Sequence, residues 1–147
     1  MINQTIRRYI LFILLAMTAG CIQPIQAPDS EASAEIVPEL AALELDPDVD
    51  VQTVASVLGR EDVFLLDVRE QWEYDAGNIE GNVFIPMGEI PSRLAEIPQD
   101  KEVIIYCHSG ARSSRVTQFL NEQGYTNIHN MLGGIMAWQE AGFEIAR

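Results

Sequence analysis

Cysteine is scarce in this chain, with two among 147 residues. That is too few for a disulfide scaffold or a thiolate metal cluster, so any sulfur chemistry must rest on single residues. Histidine is equally scarce, at two. Nothing sets two further ligands beside His129, which reads as a structural histidine, and no metal or cofactor is expected. Positive charge is short as well: nine Lys plus Arg stand against 22 Asp plus Glu, a formal net charge of −13. Such a chain repels polyanions, which excludes general nucleic-acid binding and electrostatic attraction to an anionic membrane surface. The carboxylates are scattered and form no pair suited to acid and base work. What remains is an ordinary globular composition, 48% apolar and 21% charged, at a length of about one domain.

A long hydrophobic run is also missing. The apolar stretch from Tyr9 through Met17 extends only to Ile22, short of the roughly 20 residues that cross a bilayer as a helix. Arg7 and Arg8 precede it and Thr18, Ala19 and Gly20 follow it, so residues 1–20 have the three-part pattern of a secretory signal. Thr18-Ala19-Gly20-Cys21 resembles the bacterial lipobox, in which the cysteine becomes the lipidated first residue of the mature protein; Thr18 stands where Leu is usual. A plain cleavage after Ala27 is the alternative. The expectation is export to the periplasm or cell envelope, with membrane attachment through a lipidated Cys21. Loss of residues 1–20 removes two positive charges and no negative ones. Residues 21–46, acidic and interspersed with Pro24, Pro28 and Pro38, read as an extended, self-repelling spacer, with a short helix over Glu39 to Leu45 as an option.

From Pro47 to Arg147 the hydrophobic pattern alternates between strand and helix. Val51, Val54, Ala55 and Leu58 share one helical face, with Asp50 as N-cap and Gly59 as stop. Val63 to Asp67, Asn82 to Ile85, Glu102 to Tyr106 and Asn127 to Met131 read as strands. Helices are predicted at Gln71 to Ala76, Glu89 to Glu96, Ser113 to Asn121 and Ile135 to Glu140. Trp72, Trp138 and Phe119 sit at helical spacings and are assigned to the core or to helix packing. Near-continuous apolar strands suit a sheet covered on both faces. The pattern predicts an α/β domain: a mainly parallel sheet of about five strands with helices on both sides, and a ligand site at the carboxyl ends of the strands.

The strongest strand ends at Tyr106, and Cys107-His108-Ser109-Gly110-Ala111-Arg112-Ser113 leads from it into a predicted helix. Unpaired N–H groups at a helix N-terminus, the helix dipole and the charge of Arg112 all favour Cys107 as thiolate, its nucleophilic form. Gly110 lets the backbone curl so that successive N–H groups converge on one atom.

Four motifs in order resemble those of the rhodanese domains, single-domain sulfurtransferases of the thiosulfate sulfurtransferase type. Asp67-Val68-Arg69-Glu70 with Trp72-Glu73-Tyr74 is similar to the first signature, and Gly77-Asn78-Ile79-Glu80-Gly81 with Ile85-Pro86 to the second. Cys107 through Ser113 is similar to the active-site loop, and Gly133-Gly134-Ile135 with Ala137-Trp138 to the C-terminal signature. The resemblance covers about two-thirds of the chain, roughly Pro47 to Ile145. Asn78 and Asn82 depart from it, where the family commonly has His and Ala.

The resemblance implies a Cys107 thiolate that attacks the sulfane sulfur of a small anionic donor such as thiosulfate and carries it as a persulfide to cyanide or a thiol. His108, Ser109, Gly110, Ala111, Arg112 and Ser113 form the expected binding loop. Arg112 is assigned to the donor's oxygens, because a guanidinium pairs with them as a planar fork; the alternative is a first-turn surface arginine. His108 either assists the thiolate or points to solvent. Asp67 and Arg69 either buttress the loop or stabilise their own turn. Four residues separate Cys107 from Arg112, where the resembling phosphatases have five, and the tighter loop suits one sulfur atom. The competing expectation is a non-catalytic or sulfur-relay module that binds a partner protein in the cell envelope.

Overall fold

A computed structural model describes residues 43–147. The signal, Cys21 and most of the acidic spacer lie outside the described residues. Five parallel strands form one sheet in the order β1-β5-β4-β2-β3: Asp48–Val49, Ile128–Met131, Glu102–Tyr106, Val63–Asp67 and Val83–Phe84. Among the described residues, four α-helices accompany them, α1 (Val51–Val57), α2 (Gln71–Ala76), α3 (Ala111–Glu122) and α4 (Gly134–Glu140).

Alternation along the central strands decides the layers. Val103 and Ile105 of β4 and Leu66 of β2 point to one face, with Val116 and Leu120 of α3. Ile104 and Tyr106 of β4 and Leu65 of β2 point to the other, with Val51, Val54 and Val57 of α1 and Ile135 and Trp138 of α4. Both faces are thus covered, which is why these strands are apolar throughout. Asp50 caps α1 by accepting the Thr53 N–H at 2.7 Å.

Three expectations are corrected. The region expected as a helix over Glu89 to Glu96 forms two 3₁₀ turns, Met87–Ser92 and Leu94–Glu96, because Pro91 lacks the N–H that an α-helix interior requires. Packing starts before Pro47: Leu43 and Leu45 lie against the α1/α4 core, and the Asp46 carbonyl bonds His129 Nδ1 at 2.8 Å. Trp72 is not core but 72% exposed, whereas Trp138 is buried and Phe119 packs against the α3 core. Trp72 lies in the first turn of the six-residue α2, on the side away from the sheet.

The chain leaves β2 toward β3 on one side and β4 toward β5 on the other. The crevice between the carboxyl ends of β2 and β4 is therefore the topological switch point where such sheets bind ligands. Residues from Asp67 and from Cys107 onward emerge there.

Candidate active site

Cys107 follows the central strand β4 and is 1% exposed. Gly110, at φ +93°, turns the loop back so that its N–H donates to Cys107 Sγ at 3.1 Å. The hydroxyl of Ser113, in the first turn of α3, lies 3.6 Å from the same sulfur and 2.7 Å from Asn130 Oδ1. Asn130 is fixed in turn by donating to Asp48 Oδ1 at 2.8 Å. Burial pushes the Cys107 thiol up, but the Ser113 amide and hydroxyl and the amides of Ser109 and Arg112 outweigh it, leaving the thiol below its ordinary value. The cradle stabilises an anion on this sulfur, as its strand-to-helix position predicts.

A second helix supports the loop from beneath. Ile135 N–H donates to the Cys107 carbonyl at 2.8 Å and Met136 N–H to the His108 carbonyl at 3.1 Å. Gly133 and Gly134 both adopt positive φ, and Gly134 lies so close to the Cys107–His108 peptide that no Cβ fits between them.

A family model of the rhodanese-like domain matches residues 50–141. The chain belongs to the rhodanese-like domain family. It is similar to a sulfurtransferase of Allochromatium vinosum, 41% identical over 99 residues that make up 67% of this chain and 92% of that one. A thiosulfate sulfurtransferase of Pseudoalteromonas translucida is 31% identical over 93 residues, 63% of this chain and 89% of the relative. Among solved structures, a rhodanese-related protein from Thermoplasma volcanium superposes with a TM-score of 0.63 at 28% identity, covering 69% of this chain and 98% of that one.

In this rhodanese-like domain the sequence-predicted residues take distinct places. Gly110 and Ser113 are buried at the sulfur, while His108, Ser109 and Ala111 are exposed on the loop. Arg112, assigned to the donor's oxygens with a surface arginine as the alternative, is partly buried against α2. Its guanidinium forks onto Glu73 of α2, Nη1 to Oε2 at 2.6 Å and Nη2 to Oε1 at 2.7 Å. Glu73 is 8% exposed, and Arg112 holds its carboxyl down to about 2. His108 Nδ1 is 3.9 Å from Glu73 Oε1, with its side chain 56% exposed.

Asp67 and Arg69 form a buried ion pair, Arg69 Nη2 to Asp67 Oδ2 at 2.6 Å, with Arg69 Nε on the same carboxylate at 2.9 Å. Arg69 also donates to the carbonyls of Glu73 at 3.2 Å and Gly77 at 2.8 Å. The pair therefore braces α2 at Glu73 and Gly77, and the Arg69 guanidinium also lies 5.6 Å from the ring centroid of Tyr106, the residue before Cys107. Asn78 and Asn82, the departures from the family pattern, bond each other at 2.9 Å, and Asn78 makes a backbone bridge to Ala146.

Glu73 is the residue beside the Cys107 loop to which sequence reasoning gave no role. Its partner is 39 residues away, and it is one carboxylate among 22 acidic residues. A local signal did exist: Glu73 sits three residues after the Glu70 N-cap, closing a capping box by accepting the Glu70 N–H at 3.0 Å.

Proposed function

We propose that this domain is a sulfurtransferase that moves sulfane sulfur from thiosulfate or a similar donor to cyanide or a thiol through a Cys107 persulfide. The observation that carries the reading is the buried Cys107 Sγ, lowered in pKa and facing the Gly110 amide at 3.1 Å. The thiolate attacks the terminal sulfur of thiosulfate, the S–S bond breaks, and its electron pair leaves with sulfite. The loop amides then stabilise charge on the persulfide. Cyanide attacks the outer sulfur and leaves as thiocyanate, restoring the thiolate. The four residues between Cys107 and Arg112, one fewer than in the resembling phosphatases, make a tighter loop that favours sulfur over phosphoryl chemistry.

The test is thiocyanate formation from thiosulfate and cyanide. Turnover by the wild-type protein, abolished in Cys107→Ser, supports the reading; equal turnover in both removes it.

A second reading, sulfur relay to a partner protein, draws on exposed apolar side chains near the loop, Trp72 at 72%, Leu132 at 49% and Met136 at 42%. A Cys107 persulfide that small thiols do not discharge would favour it. The pattern of residues 1–21 supports placing the protein in the cell envelope, held by a lipid on Cys21. A Cys21→Ser variant is then expected in the soluble fraction and the wild type with membranes.

A further inference from the structure

The Ser113 hydroxyl carries one hydrogen and has three acceptors in reach. Asn130 Oδ1 lies at 2.7 Å, the Gly110 carbonyl at 3.1 Å and Cys107 Sγ at 3.6 Å. Donation to one of them withholds the hydrogen from the other two, so the direction of this single bond bears on the charge state of the cysteine. Ser113 and Asn130 are both buried, which keeps bulk water from standing in for a lost partner.

Strand β1 decides the direction. Asp48 and Asn130 are register partners of β1 and β5, and their side chains meet on the α3 side of the sheet. An ionised carboxylate accepts hydrogen bonds and donates none. Asp48 Oδ1 therefore takes the Asn130 amide nitrogen, at 2.8 Å, and leaves Asn130 Oδ1 facing Ser113. Donation to a carboxylate polarises the amide and makes its oxygen the better acceptor. Turning the hydrogen from Asn130 to Cys107 strands that oxygen in a buried place, a cost that a neutral thiol does not offset.

We propose that Asn130 is a positioning residue for Cys107: held by Asp48, it draws the Ser113 hydroxyl hydrogen away from the sulfur and so limits how far the loop ionises the nucleophile. This rests on Cys107 as the nucleophile of the sulfur-transfer reading above. The hydroxyl's help to the thiolate is then partial, and the loop amides supply the rest. The charged and titratable groups around the loop are Arg112 and His108 on the loop itself, Glu73 of α2, Asp67 and Arg69 after β2, and Asp48 behind Asn130. A change at Asn130 replaces none of them.

The test is the pH midpoint of Cys107 alkylation by iodoacetamide in the full chain carrying Cys21→Ser. Ser113→Ala and Asn130→Leu remove the two ends of one hydrogen bond, yet opposite results are expected. The midpoint rises in Ser113→Ala and falls by about one pH unit in Asn130→Leu, the effect of one charge-assisted hydrogen bond gained by the thiolate. A general loosening of the loop would move both midpoints the same way. In the Ser113→Ala background, Asn130→Leu is expected to move the midpoint little, because the hydrogen it releases is gone. Asp48→Asn, at an exposed position, stands in where Asn130→Leu does not fold. The new amide lets Asn130 turn its nitrogen toward Ser113, and the midpoint is expected to fall further with Ser113 present than without it. A midpoint that rises or stays in Asn130→Leu, or in Asp48→Asn where it stands in, overturns the proposal, as does a fall that is equal with and without Ser113. Alkylation uses no sulfur donor, so a protein that alkylates as expected yet gains no sulfur removes the sulfur-transfer reading and leaves the role of Asn130 at Cys107 intact.

Discussion

Gly134 is seated directly on the Cys107–His108 peptide: a Cβ at Gly134 would overlap the Cys107 carbonyl oxygen and stand 2.7 Å from the carbonyl carbon of His108. Its φ is +58°, a conformation that side chains other than Gly adopt at a cost. Gly134→Ala is therefore expected to destabilise the domain by about 1–3 kcal/mol from backbone strain alone, and more from the displaced loop. Urea unfolding and the Cys107 loading rate should fall together. An unchanged rate would mean that α4 does not position the loop.

The buried pair of Asp67 and Arg69 predicts a marked asymmetry between single and double replacement. Arg69→Met strands the Asp67 carboxylate and frees the carbonyls of Glu73 and Gly77. The expected loss is about 3–5 kcal/mol, while removing both charges in Asp67→Leu with Arg69→Met should cost less than the single change. Urea midpoints of the two variants check this. A double variant weaker than Arg69→Met would show that the charges themselves stabilise the domain.

Ser113→Ala removes one of the groups that lower the Cys107 thiol and deprives Asn130 Oδ1 of its donor. The midpoint of Cys107 alkylation against pH should rise from its lowered position, and the rate near pH 7 should drop about two- to tenfold as the thiolate fraction shrinks. The maximal rate at high pH should change little. An unmoved midpoint would leave the backbone amides as the source of the shift.

Glu73 sets an acid limit. Its folded value lies near 2, below the ordinary 4.5, so the ionised carboxylate favours the folded state. That contribution is complete above about pH 4.5 and is lost as the pH falls toward 2. The stability difference between wild type and Glu73→Gln, measured by urea unfolding, should be constant from pH 7 to 5 and shrink below that. A difference that grows on acidification would contradict the sign.

The parts of the fold legible in the sequence are those whose pattern is local. Val63 to Asp67 and Glu102 to Tyr106 announce buried strands, because both faces of the sheet are covered and each residue must be apolar. Cys107, Gly110 and Ser113 were legible for a similar reason: a strand end, a glycine and a helix start dictate where amides point. Strand β1 was not, since Asp48–Val49 is two residues held by its register to Asn130 and Met131. The exposure of Trp72 was hidden because helical spacing does not say which side of a short helix faces the core. The Glu73–Arg112 fork depends on the first turns of α2 and α3, which follow β2 and β4, meeting in space, and no single segment encodes that.

The most direct test of the account is the intact mass of the full chain carrying Cys21→Ser, which leaves Cys107 the only cysteine. It is measured before and after a sulfane-sulfur donor, and again after cyanide. The account predicts a gain of about 32 Da that cyanide removes and that Cys107→Ser never shows. A folded protein with reduced Cys107 that gains no mass from either thiosulfate or an organic persulfide would contradict it.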